Sequence, residues 1–137
     1  MDENGIGDAV IAAAVQIHRA LGPGLLETVY EIILAHELRQ RGLTVERQVP
    51  VPIEYCGHKF DEGFRADLLV ENKVIVELKC VGRLNEAHRK QLLSYLRLTD
   101  MRLGYLLNFS ESMMKDGIVR TVNRLHDEPL TAIPAAT

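Results

Sequence analysis

Three side chains in the middle of the chain, Asp67, Glu77 and Lys79, are of types that could carry chemistry together. They belong to the stretch 64–81 (FRADLLVENKVIVELKCV), whose alternation of apolar and polar residues predicts two β-strands around a tight turn. Two carboxylates held close together repel each other unless a cation lies between them. Mg²⁺ prefers oxygen ligands, and a neighbouring lysine could orient a water on the metal or stabilise a phosphate under attack.

The register of this hairpin follows from its apolar face. A three-residue turn makes one face fully apolar, and the buried face sets the register of a strand pair. The resulting pairs are Val70 with Val74, Leu68 with Val76 and Ala66 with Leu78. Asn72 supplies the left-handed residue that such a turn often needs.

In this register Asp67 lies opposite Glu77, with their Cα atoms roughly 5 Å apart. Lys79 is on the same face, roughly 7 Å further along its strand. The alternative interpretation is a solvated surface hairpin in which Glu77 pairs with Lys79 and Asp67 pairs with Arg65. The alternation alone does not choose between a metal site and these surface ion pairs.

Composition narrows the class of protein. The chain has 137 residues, of which 47% are hydrophobic and 26% are charged, as in an ordinary globular domain with one core. No apolar run is long enough to span a bilayer, and the two cysteines predict reduced thiols in a cytoplasm. The net charge of −3 disfavours a dedicated nucleic-acid binder but allows an enzyme with an acidic site.

Helical spacing of apolar residues predicts three helices, over 6–21, 25–41 and 85–99. The second follows Gly22-Pro23-Gly24, and its apolar residues surround so much of its circumference that it should be largely buried. Glu27 lies in its first turns. That carboxylate either suits the helix dipole or reaches the hairpin as a third acid.

The third predicted helix carries a stripe that mixes polar and apolar residues. Its members are His88, Gln91, Leu92, Tyr95 and Thr99. Buried polar groups need hydrogen-bond partners, so this stripe either faces the hairpin carboxylates or forms a half-exposed edge.

The remaining strands complete an α/β fold. Pro50 and Pro52 make 45–55 an edge strand, 102–108 reads as a covered interior strand, and 118–123 is the last strand. The order α-α-β-β-β-α-β-β predicts a sandwich whose mixed sheet contains an antiparallel three-stranded meander. We expect one domain over 1–137, with a core of about 6–123 and a loosely held tail over 124–137.

The motif Gly24-x-x-Glu27-x-x-Tyr30 resembles the signature of the GxxExxY proteins, which are small members of the PD-(D/E)XK nuclease superfamily. The resemblance continues in GFRADLLVENKVIVELK (63–79), HRKQLLSYLR (88–97) and LGYLLNF (103–109), and covers roughly 6–122. It implies a restriction-endonuclease-like fold. The proline that the superfamily places before the aspartate is Ala66 here.

The resemblance also implies roles for individual residues. Asp67, Glu77 and Glu27 correspond to metal-binding carboxylates, and Lys79 to the catalytic lysine. The supporting residues are Gln91 and Tyr95, which match a Gln-x-x-x-Tyr motif, together with His88 and Tyr30.

The function implied by the resemblance is hydrolysis of phosphodiester bonds in nucleic acid, with DNA as the favoured substrate and Mg²⁺ or Mn²⁺ as the cofactor. One alternative is a nuclease-like module that binds nucleic acid or protein without cleavage. Another is a small structural or oligomerising domain. The sequence leaves open the form of the substrate, endonuclease or exonuclease action, sequence specificity, and whether the chain forms a homodimer.

Overall fold

The computed structural model describes residues 1–125, and its element order is the predicted one. The elements are α1 (Glu3–Leu21), α2 (Glu27–Gln40), β1 (Val45–Tyr55), β2 (His58–Val70), β3 (Val74–Lys79), α3 (Glu86–Thr99), β4 (Leu103–Asn108), a short 3₁₀ helix (Met114–Gly117) and β5 (Ile118–Val122). The predicted loose tail falls almost entirely outside the described residues. Within them, no helix is both long and apolar enough to cross a bilayer.

The five strands form one mixed sheet in the order β1-β2-β3-β4-β5. Neighbouring strands are antiparallel except β3 and β4, which are parallel and are joined through α3. This confirms the predicted antiparallel meander of β1, β2 and β3. It also confirms that the proline-containing β1 is an edge strand, and that β4, buried along its whole length, is an interior one.

Helices cover both faces of the sheet. On one face α1 and α2 pack over a core that includes Ile6, Val10, Leu34, Leu38, Leu68, Val76, Leu78 and Leu107. On the other face α3 packs over a smaller core that includes Val51, Ala66, Ile75, Leu92, Leu96 and Leu106. The chain therefore has the three layers of an α/β sandwich.

Two details of the helices differ from the sequence-based expectation. α1 begins at Glu3 rather than near Ile6, because the Asp2 carboxylate accepts a hydrogen bond from the Gly5 N–H at 2.8 Å and caps the helix. The expectation that α2 is largely buried is wrong. Its start and outer face stay exposed, with Leu26 at 75% and Ile32 at 49% relative exposure, because only one side of α2 packs on the core.

The hairpin turn matches the predicted register, and both Glu71 and Asn72 adopt the left-handed conformation. The side chains of β2 do not alternate regularly, however. Leu68 packs in the core under α1 and α2, whereas Ala66, two residues earlier, packs in the core under α3. The predicted single apolar face is therefore wrong beyond Leu68, and the change of face falls at Asp67.

The neighbouring strand β1 changes face at the same level. Val45 packs under α1 and α2, whereas Val51 packs under α3. Gln48 lies between them with a φ of 53°. Its neighbours pair with β2, Arg47 with Leu68 and Val49 with Ala66, but Gln48 itself has no partner in the ladder. A left-handed residue in a strand rotates the chain locally, which accounts for the change of face of β1 at Gln48.

Candidate functional site

The strands β2 and β3 part where the two predicted acids lie. Their ladder ends at the Leu68–Val76 pair, so the predicted pair beyond it is not formed. Instead, the Asp67 N–H donates to Glu77 Oε2 at 2.7 Å, and the Leu78 N–H donates to Asp67 Oδ2 at 2.9 Å. The two carboxylates thus occupy the opening between the strands, each held by the backbone of the other strand.

Neither carboxylate lies in water as an ordinary surface acid. Glu77 is only 5% exposed. Burial, followed by the negative charge of Asp67, raises the pKa of Glu77 to about 8. The alternative of a solvated surface hairpin does not fit a glutamate in this environment.

The same effects act on the second strand acid. Burial raises the pKa of Asp67 to about 6, and the charges of Glu31 and Glu27 add to the rise. The hydrogen bond from the Leu78 N–H and the positive charge of Lys79 oppose it. When both carboxyls are ionised, the site holds two close negative charges that Lys79 opposes, which is a situation that a bound cation would relieve.

Lys79 ends β3 beside this pair and is half-buried. Its positive charge lowers the pKa of both Asp67 and Glu77, as expected of an ammonium group close to both carboxylates. Its backbone is fixed from β4, because the Phe109 N–H donates to the Lys79 carbonyl at 3.0 Å. The buried Asn108 side chain then holds both backbone groups of Val81.

The loop before α2 is organised by Tyr30. Its hydroxyl donates to the Gly22 carbonyl and accepts from the Leu25 N–H at 3.2 Å, while its ring stacks on Phe109 with centroids 4.4 Å apart. Gly24 has a φ of 112°, a conformation that side chains disfavour. The glycine and tyrosine of the motif therefore shape the turn that delivers the first residue of α2, Glu27.

Replacement of Tyr30 by Phe is expected to lower the free energy of unfolding by about 1–2 kcal/mol, because two backbone groups lose their partner. Urea unfolding followed by circular dichroism measures the change. Tyr55→Phe is the matched control, since Tyr55 is 71% exposed. Equal stabilities of the two variants would show that the hydroxyl of Tyr30 does not hold the loop.

Glu31 is an acidic residue of the site for which the sequence predicted no role. It follows Glu27 by one helical turn and is 4% exposed. Its carboxylate accepts from the Arg47 guanidinium at 3.0 Å and from the Gln48 amide at 2.9 Å. Its charge helps to raise the pKa of both Asp67 and Glu77. Its spacing of one helical turn from Glu27 is not specific to a functional site, because neighbouring residues on any helix surface have that spacing.

The predicted third metal ligand is less close than the strand acids. Glu27 is near enough for its charge to raise the pKa of Asp67. Among residues 1–125, however, no three His, Cys, Asp or Glu side chains converge into a group that could hold a metal ion. The structure thus brings Asp67 and Glu77 together and leaves Glu27 at the margin. Their oxygen donors and uncompensated charge fit a divalent cation.

From α3, Tyr95 lies within electrostatic reach of both strand acids. It is 3% exposed, and its ring centroid lies 5.0 Å from that of Phe64. Burial, followed by the charges of Glu77 and Asp67, raises the pKa of Tyr95 to about 12. Gln91 is half-buried one turn earlier on the same helix.

His88 has a local structural role. Its ring Nδ1 accepts from the Asn85 N–H at 3.1 Å, and the Asn85 side chain accepts from the His88 N–H at 3.0 Å. These reciprocal bonds form a capping box at the start of α3. A role for His88 in the site itself stays a prediction.

Comparison with known proteins agrees with this geometry. A sequence profile described as the PD-(D/E)XK nuclease superfamily matches residues 4–121. No curated protein and no solved structure matches the chain significantly. The match extends over most of the chain and includes both strand acids, Lys79 and α3. The chain therefore belongs to the PD-(D/E)XK nuclease superfamily.

Proposed function

We propose that this protein is a nuclease of the GxxExxY type that hydrolyses phosphodiester bonds, with DNA as the favoured substrate, and depends on Mg²⁺ or Mn²⁺. The observation that carries the proposal is a pair of carboxylates, the buried Glu77 and the half-buried Asp67, in the opening between two strands. Lys79 is the cation beside them. Superfamily membership supports nuclease chemistry on a nucleic-acid substrate.

Each residue has a distinct role in this proposal. Asp67 and Glu77 would hold the cation, with Glu27 as a third ligand from α2. A bound Mg²⁺ supplies Lewis acidity and neutralises charge on the phosphate. Lys79 orients the scissile phosphate or the attacking water. Gln91 and Tyr95 support the acids from α3, on the side opposite α2.

Exposed basic side chains that follow Lys79 along the chain favour a polyanionic substrate. The loop that follows β3 leads directly from Lys79 into α3, and Arg83, Arg89 and Lys90 are exposed on this loop and the first turns of the helix. Their positive charges would attract the phosphates of a nucleic acid. These three cations support nucleic-acid binding by a chain whose net charge is −3.

The proposal is tested by incubating the purified protein with single-stranded DNA, duplex DNA and RNA, each with Mg²⁺, Mn²⁺ or EDTA. We expect metal-dependent cleavage of at least one substrate. Lys79→Ala should reduce the rate by about 100-fold or more, as does loss of one group that stabilises transition-state charge. Lys59→Ala, an exposed lysine at the far end of β2, is the matched control. A wild-type protein that cleaves nothing with either metal would contradict the proposal.

A second candidate function is a module that binds nucleic acid or protein without cleavage. It is favoured by the lack of a ready three-ligand group among residues 1–125. Calorimetric titration with Mg²⁺ separates the two candidates, because a module without catalysis has no need for metal at Asp67 and Glu77. Saturable binding that Asp67→Asn removes favours the nuclease, and its absence favours the binding module.

A further inference from the structure

Gln48 contacts two acids that come from different elements. Its side-chain Nε2 lies 2.9 Å from Glu31 Oε1 on α2 and 3.3 Å from Asp67 Oδ1 on β2. Both partners are acceptors when ionised, so the amide nitrogen rather than its oxygen must face them. One neutral side chain on the edge strand thus connects the helix acid to the strand acid.

The backbone of Gln48 explains how it reaches both acids. Neighbouring residues of a regular strand point to opposite faces. Arg47 and Gln48 nevertheless both bond to Glu31, one to Oε2 and the other to Oε1. The left-handed φ of 53° at Gln48 breaks the alternation. Glutamine has no special tolerance for this conformation, and backbone strain of this kind is typical of functional sites.

The contact also completes the fixation of Asp67. Its Oδ2 accepts from the Leu78 N–H at 2.9 Å, and its Oδ1 accepts from Gln48. The two oxygens are therefore held from two different strands, β3 and β1. Hydrogen bonds of this kind orient metal-binding carboxylates and set their affinity.

We propose that Gln48 is a positioning residue of the metal site, whose amide fixes the orientation of Asp67 and ties it to Glu31. The inference rests on the proposed function, because it assumes that Asp67 binds the cation. Gln48 itself does not touch the reacting atoms. Its loss should therefore weaken metal binding rather than remove the catalytic groups.

The test compares the affinity for Mn²⁺, measured by calorimetry at neutral pH, among wild type, Gln48→Ala and Gln48→Gly. Both variants lose the amide, but glycine also relieves the left-handed strain and should unfold at higher urea concentration than alanine. We expect both to bind Mn²⁺ about 10-fold more weakly than wild type, a typical effect of removing a group that orients a ligand. The loss of Mn²⁺ affinity should therefore be similar in the two variants, although their stabilities differ. Gln40→Ala, an exposed glutamine at the end of α2, should bind like wild type.

A second readout is rescue by metal. Saturating Mn²⁺ should restore cleavage by Gln48→Ala to near the wild-type rate, but should not restore cleavage by Asp67→Asn. Wild-type affinity in Gln48→Ala would overturn this inference and leave the proposed function intact. Wild-type affinity in Gln48→Gly alone would also overturn this inference, because the weaker binding of Gln48→Ala would then come from the backbone and not from the loss of the amide. A wild-type protein without Mn²⁺ binding would overturn the proposed function and this inference with it.

Discussion

Replacement of Glu77 by Gln is expected to abolish metal-dependent cleavage and, at the same time, to stabilise the metal-free protein above pH 8. In the wild type, Glu77 Oε2 accepts a hydrogen bond from the Asp67 N–H at 2.7 Å, and the amide oxygen of glutamine can accept the same bond. It removes a buried negative charge whose pKa is raised to about 8 by burial and by Asp67. Because metal ions contribute several kcal/mol to such transition states, the rate should fall by about 1,000-fold or more.

The same substitution should raise the free energy of unfolding at pH 9 by at least about 1 kcal/mol in EDTA. Cleavage is measured by gel electrophoresis and stability by urea unfolding, on the same preparations. The control is Glu46→Gln, which replaces an exposed carboxylate on β1. It should leave both quantities close to wild type. If Glu77→Gln retains cleavage or loses stability, Glu77 is not the charged group of a cation site.

The second large effect concerns pH. Asp67 and Glu77 bind protons more tightly in the folded protein than in the unfolded chain. Their pKa values rise from 3.8 and 4.5 to about 6 and about 8, respectively. The stability that these protons provide is complete below the ordinary pKa values and is lost as pH rises through the raised ones. The free energy of unfolding of the metal-free protein should therefore fall by roughly 2–4 kcal/mol between pH 5 and pH 9.

A divalent cation should counteract this fall, because it binds the ionised carboxylates of the folded state. Urea unfolding of the wild type at each pH, with EDTA and with Mg²⁺, measures both effects. Glu77→Gln should show a shallower pH dependence and little response to Mg²⁺. Parallel curves for wild type and Glu77→Gln would contradict the raised pKa of Glu77.

Much of the fold could be predicted because local patterns and tertiary packing agree. The apolar residues from Leu68 to Val76 and the left-handed turn at Asn72 define the register of β2 and β3 as observed. Pro50 and Pro52 exclude an interior position for β1, and the apolar run of β4 requires cover on both faces. In each case a single physical constraint is enough to fix the register of the strand or its position in the sheet.

The parts that could not be predicted arise where the chain departs from these rules. The glutamine at position 48 does not indicate a left-handed residue, since glutamine has no preference for that conformation. In a regular strand the side chain of Gln48 would point to the face opposite that of Arg47. Glu31 lies one helical turn after Glu27, but its burial depends on Arg47 and Gln48, which come from the strand that changes face at Gln48.

The strands β2 and β3 also depart from regular pairing at the site. A regular ladder would have continued to Leu78, with the acids pointing away from the backbone of the other strand. Instead, each carboxylate of Asp67 and Glu77 accepts from a backbone N–H that the ladder leaves without a partner. Sequence patterns describe regular pairing, so they place the acids side by side but do not predict this exchange.

The central claim is that Asp67 and Glu77 form a cation site between the separating strands. A crystal structure of the protein with Mn²⁺, using anomalous scattering to locate the ion, measures this directly. We expect an ion within about 2–2.5 Å of an oxygen from each of the two carboxylates. An ion bound elsewhere, or no ion at this position at saturating Mn²⁺, would contradict the claim.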